Sequence, residues 1–350
     1  MLQSILKEIK NQEDTIDFTI LLSENYAPDI LAYQPYRTIH YPKNITDLAE
    51  LARIYDKVLF AGGAILNDES YSREDLNFNT LVVELSSLFI ANNKQSLFYG
   101  VSSSSKIYNQ SYIEKLRFAI EGSFYVSLRD NFSLKTLKDA RIDTSHIKIV
   151  EDLIFTDPAL STVCKAKNNS KKNKYGAVFV YTEENFDTIL SFTKNFLSFM
   201  NKQDSLLIIP FYDFEGHDIK FANRLLQELN DNRISMKLQI ATTMAELTVT
   251  IASLDAIISM RYHGTLIATA LGKRVLSIDL SNHAHYLNKN KYIYEHYGIK
   301  GLHIKDTDIE KFSHTDFKKF LSNNGKTPNT KLVHRAAQKQ LRLMLNDLYQ

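Results

Sequence analysis

Arg261 and His263 stand two residues apart in the stretch DAIISMRYHGTLIATALGKRVLSID, between an apolar strand pattern and a small-residue helix pattern. A guanidinium forks onto carboxylate or phosphate oxygens, and an imidazole titrates near neutrality and moves protons. In an extended turn, side chains two apart point the same way. The pair therefore reads as a site for an anion with a proton to give or take. Gly264, next in line, would let a helix begin close to that ligand and aim backbone N–H groups at it. The same two side chains would also serve to cap a surface turn, and the spacing alone does not choose.

Other residues with chemical potential lie at the ends of apolar runs. Gly62 and Gly63 in LFAGGAILND form a glycine pair after a strand pattern, a place where backbone amides approach a ligand or simply a turn. Arg129 in VSLRDNFS stands at a strand tip, followed by Asp130 and Asn131 as natural helix N-caps, with Ser133 in support. Asp213, Glu215, His217 and Asp218 follow the LLIIPF run. They read as a sugar-binding edge or as a solvated loop. His283 and His285 lie beyond Asp279. The remaining histidines are scattered without metal-ligand spacing, so no metal or other cofactor is expected.

These residues need strands and helices to hold them. Short β-rich runs alternate with helical patterns throughout, which predicts an α/β fold with parallel sheets. In the first half the strands are expected at 18–22, 57–61, 96–101, 124–128 and 147–150, with helices over 45–54 and 74–91. The segment KAKNNSKKNK, residues 165–174, carries five lysines and cannot pack. We place a basic linker there, after a Rossmann-like domain over 1–164. A second such domain follows over 175–325, with strands in YGAVFVY, LLIIPF, MKLQIA, AIISM, VLSID and GLHIK. The last segment, 326–350, carries a helix with the apolar stripe Val333, Ala337, Leu341, Met344, Leu345 and Leu348, which should dock on one domain. Two doubly wound domains facing a cleft resemble the GT-B glycosyltransferases.

Composition narrows the partners. The 350 residues are 44% hydrophobic and 23% charged, with a net charge of +2, so a nucleic-acid partner has no basic excess to meet it. A single cysteine, Cys164, and an N-terminus without a signal-peptide core fit a cytoplasmic protein.

The segment around Arg261 and His263 resembles the hallmark of the polysaccharide pyruvyl transferase family. LFAGGAILND, FYGVS, VSLRDNFS and IFTDPAL resemble further family segments in the same order. The resemblance covers about residues 1 to 300 and implies transfer of pyruvate from phosphoenolpyruvate to a sugar of a surface glycan. The acceptor would be a glycan or a lipid-linked oligosaccharide. It implies Arg129 and Arg261 as the clamp for carboxylate and phosphate, helped by Gly62, Gly63 and the helix start at Gly264. His263 would be the proton carrier, and Asp218, His283 and His285 fall to the acceptor side. The chain departs from the family where a lysine is usual, after Asp279. Family members also open with a strand and a glycine-rich loop, so such a strand is expected ahead of Met1. A nucleotide-sugar glycosyltransferase and a non-catalytic glycan binder remain as alternatives. Lys331, Arg335, Lys339 and Arg342 line one side of the last helix. They suit either solvent or the inner face of a membrane.

Overall fold

Runs such as LFYGV and AIIS have no polar alternation because both of their faces are covered, and each becomes a strand of a parallel sheet. The computed structural model describes residues 5, 6, 8, 17–22, 36–69, 71, 72, 76–103, 106–162, 172–180, 183–211, 217–229, 233–280, 289–297, 302–322 and 330–349. The chain divides into two units, Met1–Asp157 with Arg335–Gln350, and Pro158–His334.

In the first unit, β1 (Thr19–Leu22) pairs in parallel with β2 (Arg37–His40). Then follow α1 (Ile45–Ile54), β3 (Lys57–Ala61), α2 (Phe78–Ala91), β4 (Gln95–Val101), α3 (Gln110–Glu121), β5 (Tyr125–Leu128), α4 (Asn131–Asp139) and β6 (Lys148–Ile149). The last four strands form a parallel sheet in sequential order. Strand β2 is absent from the sequence expectation. Helix α2 begins at Phe78, four residues later than expected, because the Asn77 side chain accepts from the Thr80 amide and closes the N-terminus. Asn44, Asn109 and Asp130 cap α1, α3 and α4 in the same way. Phe98, Val126 and Leu128 pack on one face of the sheet with Val82, Val83 and Leu116. Leu97, Tyr99 and Tyr125 pack on the other.

The second unit opens with α5 (Pro158–Thr162) and β7 (Lys174–Val178). It continues through α6 (Phe186–Phe199), β8 (Ser205–Ile208), α7 (His217–Leu229), β9 (Ser235–Leu238) and α8 (Met244–Ala252). Next come β10 (Ala256–Ser259), α9 (Tyr262–Ala270), β11 (Arg274–Asp279), α10 (Lys289–Tyr297), β12 (Leu302–Lys305), α11 (His314–Ser322) and α12 (Thr330–Tyr349). All six strands run parallel in the order β12-β11-β10-β7-β8-β9. The unit's first strand, β7, thus lies beside its fourth, β10, and winding reverses between them. This is the Rossmann order, in which ligands bind beyond the carboxyl ends of the strands at the reversal. Ala177, Ile208, Ile258 and Leu276 face a core filled by Phe192, Phe196, Phe221, Leu225 and Phe317.

Helix α12 returns the chain to the first unit. Thr330 still bonds the carbonyl of Ala270. From Arg335 onward the helix belongs to the first unit, where Leu341, Met344 and Leu345 are buried with Leu97, Tyr99 and Tyr125. The Gln340 side chain accepts from the Glu151 amide at 2.9 Å. Lys331, Arg335, Lys339 and Arg342 are exposed, and Arg342 meets Glu8 at 2.6 Å. Among the described residues no helix is long and apolar enough to cross a membrane.

Candidate functional site

Strand β10 sits at the reversal, and its pairing with β7 extends one residue past its end through Met260 N–H to Val178 O, 2.8 Å. Arg261 then takes an extended backbone, φ −92° and ψ 132°, and serves as the N-cap position of α9. Tyr262 and His263 already belong to the helix. The extended turn expected for Arg261 and His263 is therefore replaced by a direct strand-to-helix transition. Gly264 does not open the helix; it lies in the first turn. A Cβ there would stand 2.7 Å from Ser259 Oγ and 3.4 Å from Val178 Cγ1. The missing side chain lets the first turn of α9 press against the ends of β10 and β7. Arg261 supplies no side-chain cap, unlike Asn44, Asn77, Asn109, Asp130 and Thr243 at other helix starts.

The Arg261 side chain is 17% exposed, and its Nη2 meets Asp218 Oδ1 at 2.6 Å. Asp218 stands in the first turn of α7 with its side chain 2% exposed. Its other oxygen accepts from the Phe211 amide at 3.2 Å, just past β8. His263 is half-buried, its ring edge-on to Tyr262 with centroids 5.2 Å apart. This end of the second unit thus gathers Arg261, His263, Gly264 and Asp218. His283 and His285 lie outside the described residues, as do Asp213 and Glu215.

One strand further along, a buried polar group closes the end of β11. Asp279 is 1% exposed and accepts from Asn290 Nδ2 at 2.6 Å. His303 Nε2 lies 3.5 Å from Asp279, and His303 Nδ1 lies 3.0 Å from Ser277 Oγ. Burial, helped by Lys291 and Lys305, pulls the His303 pKa down to about 4, so the ring is neutral at pH 7. Sequence reasoning missed this group. Ser277 and Asp279 share a strand face by their spacing, and Ser277 pairs in register with His303, which is the signal that would have found it.

In the first unit Arg129 follows β5, and its side chain is 4% exposed against an Asp152 that is 3% exposed, Nη1 to Oδ2 2.8 Å. Asp152 also accepts from the Ile154 amide at 2.9 Å. Asp130 accepts from both the amide and the hydroxyl of Ser133, each at 2.7 Å. Gly62 and Gly63 have φ of 67° and 78°, a region that favours glycine. The Gly62 amide bonds Tyr99 O at 2.8 Å, and Gly63 O accepts from the Ser102 amide at 2.9 Å. That backbone pairing ties the glycine loop to the FYGVS turn. Gly62, Gly63 and Arg129 thus lie at the carboxyl ends of β3 and β5, in a different unit from Arg261 and His263. Among the described residues no three His, Cys, Asp or Glu side chains gather as metal ligands would.

Two Rossmann-like units with parallel sheets and a terminal helix make this a protein of GT-B-like fold. Solved structures share that fold. UDP-GlcNAc 2-epimerase of Methanocaldococcus jannaschii with UDP-GlcNAc and UDP aligns at TM-score 0.62 and 13% identity, over 97% of this chain and 95% of its own. The Neisseria meningitidis UDP-GlcNAc 2-epimerase bound to UDP-GlcNAc gives 0.62 and 12%, over 99% and 96%. S. aureus MnaA with UDP gives 0.64 and 10%, over 100% and 94%. No curated protein matches the chain in sequence. Residues 1–282 match the polysaccharide pyruvyl transferases, and the chain belongs to that family.

Proposed function

We propose that this transferase takes pyruvate from phosphoenolpyruvate and places it on two hydroxyls of one sugar as a ketal, releasing phosphate. The observation that carries the reading is the placement of Arg261 and His263 at the end of β10, beside the reversal of the sheet and at the start of α9. A guanidinium at a helix N-terminus suits a ligand with a carboxylate and a phosphate. In the step, a proton adds to the methylene carbon, and one sugar hydroxyl attacks C2 and loses its proton. The C2–O bond to phosphorus breaks and phosphate leaves. The second hydroxyl then adds to C2, and its proton departs with the phosphate. His263 delivers the first proton and is recharged by the attacking hydroxyl. Arg261 holds the donor's anionic groups through the charge change. The burial of Arg129 against Asp152 favours a supporting role for it at the end of β5, leaving the anion to Arg261. For a lipid-linked acceptor, exposed Lys331, Arg335 and Lys339 of α12 offer contact with an anionic membrane face, each adding about 1 kcal/mol.

The likeness to structures holding UDP raises a nucleotide-sugar donor as the second reading. Against it, Asp279, the first acid after Arg261 and His263, is 1% exposed and held by Asn290, a poor position for grasping a ribose. The test is thermal melting with phosphoenolpyruvate or with UDP-sugars, followed by phosphate release in the presence of candidate glycans. A ligand at a hundred times its Kd stabilises the folded protein by about 2.7 kcal/mol. Stabilisation by phosphoenolpyruvate, with phosphate released on adding a glycan, supports the reading. Stabilisation by UDP-sugars alone replaces it with glycosyl transfer.

A further inference from the structure

At the end of the second sheet Arg261 is held by α7, an element that follows a different strand. We propose that Asp218 is the positioning residue for Arg261, an inference that rests on the pyruvyl transfer reading. The carboxylate spans two strand exits. Oδ1 binds Arg261 after β10 at 2.6 Å, and Oδ2 binds the Phe211 amide after β8 at 3.2 Å. Strand β7 lies between β10 and β8 in the sheet, so Asp218 ties together the two strands flanking it.

An arginine side chain carries about 2 kcal/mol of rotamer entropy, and a clamp that must meet a donor in one orientation has to lose it before binding. Asp218 supplies that loss in advance. Its side chain is 2% exposed, so the partner of Arg261 is held by the core while Arg261 keeps 17% of its own surface open. A guanidinium has five N–H donors, so an ion pair through one terminal nitrogen is compatible with binding a phosphate or carboxylate. The acid also balances the cation at the site before the donor arrives. A sugar-binding role for Asp218 fits this geometry poorly, because one oxygen faces Arg261, the other faces the Phe211 amide, and the side chain is almost wholly buried.

The test measures phosphoenolpyruvate binding by calorimetry, and steady-state kinetics in both substrates, for Asp218→Asn and Asp218→Glu. Each is made in the natural protein and in an Arg261→Ala background. Misplacing a positioned group costs up to about a hundredfold in rate. We expect Asp218→Asn to weaken phosphoenolpyruvate binding and lower kcat/KM for it about tenfold or more, leave the glycan KM unchanged, and add nothing once Arg261 is alanine. Asp218→Glu, which keeps the charge, should restore part of the loss. Thermal melting of each variant shows whether it is folded, and Asp218→Glu carries the comparison if Asp218→Asn is not. An equal loss with and without Arg261, or a rise in the glycan KM alone, overturns the inference. If the natural protein binds no phosphoenolpyruvate, the pyruvyl transfer reading fails and takes the inference with it, whereas binding that ignores Asp218 removes the inference alone.

Discussion

Replacing Gly264 with alanine separates two reasons for a glycine after Arg261 and His263. If the glycine exists to let a ligand approach, alanine should cost binding and leave stability alone. The structure gives the other reason. The new methyl would lie 2.7 Å from Ser259 Oγ, 3.4 Å from Val178 Cγ1 and 3.6 Å from Phe211 Cζ. The Val178 and Phe211 contacts are near ordinary packing, but the first forces Ser259 to turn. Its hydroxyl is buried and donates to Arg261 O at 3.0 Å, a bond worth about 1 kcal/mol. Overpacking a tight site adds about 1 to 3 kcal/mol, while alanine returns up to about 1 kcal/mol of helix propensity. The single substitution should therefore destabilise by about 1 to 3 kcal/mol. In the double variant with Ser259→Ala the close contact is gone, and the lost hydrogen bond and gained propensity nearly cancel, about 1 kcal/mol each. Urea midpoints of the two singles and the double read this as a coupling of about 2 to 4 kcal/mol. A Gly264→Ala protein as stable as the natural one, or a double variant no more stable than that single, would refute the packing argument. A double variant with restored stability that no longer binds phosphoenolpyruvate would assign the glycine to the ligand.

His263→Ala should melt as the natural protein does, because the ring is only half-buried, and lose phosphate release by about 10² to 10⁴; an active variant would move the proton to another group. Arg129→Ala removes the cation from a carboxylate that is 3% exposed and should cost about 3 to 5 kcal/mol in urea unfolding. A cost under about 1 kcal/mol would show that the pair does not hold the end of β5. His303 contributes a pH-dependent share of stability. Its folded pKa, about 4, lies below the ordinary 6.5, so the unfolded chain binds the proton first and stability is lost as pH falls from 6.5 toward 4. The full shift corresponds to about 3 kcal/mol, and the ring's partial solvent access brings it to about 1 to 2. His303→Gln should flatten the urea midpoint between pH 7 and 5, and an unchanged pH dependence would contradict it.

The parallel strands were legible because a strand covered on both faces writes itself as an apolar run, and LFYGV of β4 and AII of β10 are of that kind. Strand β2 was not. Its sequence RTIH has a polar residue at three of four positions, and both ends are exposed. What makes it a strand is pairing with β1, a contact between separated segments that carries no local period. The start of α2 was misplaced for a related reason. The helical pattern was expected from residue 74, but the capping bond from the Thr80 amide to Asn77 sets the start at Phe78.

The chemistry was legible residue by residue and illegible pair by pair. Arginine at a strand exit can be read from the local pattern, since the strand and the following helix both show their periods. Its acid cannot, because the partner is chosen by where another helix or turn crosses the sheet. Arg261 meets an aspartate 43 residues earlier, and Arg129 meets one 23 residues later. The two-apart argument for Arg261 and His263 failed in a different way. It assumed extended backbone through both, whereas the helix begins between them, and from there each residue turns the side chain by about 100°. Asp218 shows both effects together. From the sequence it is one of several acids after an apolar run and reads as part of a sugar-binding edge or of a solvated loop; in the fold, the first turn of α7 buries it and pairs it with Arg261, two strands away across β7.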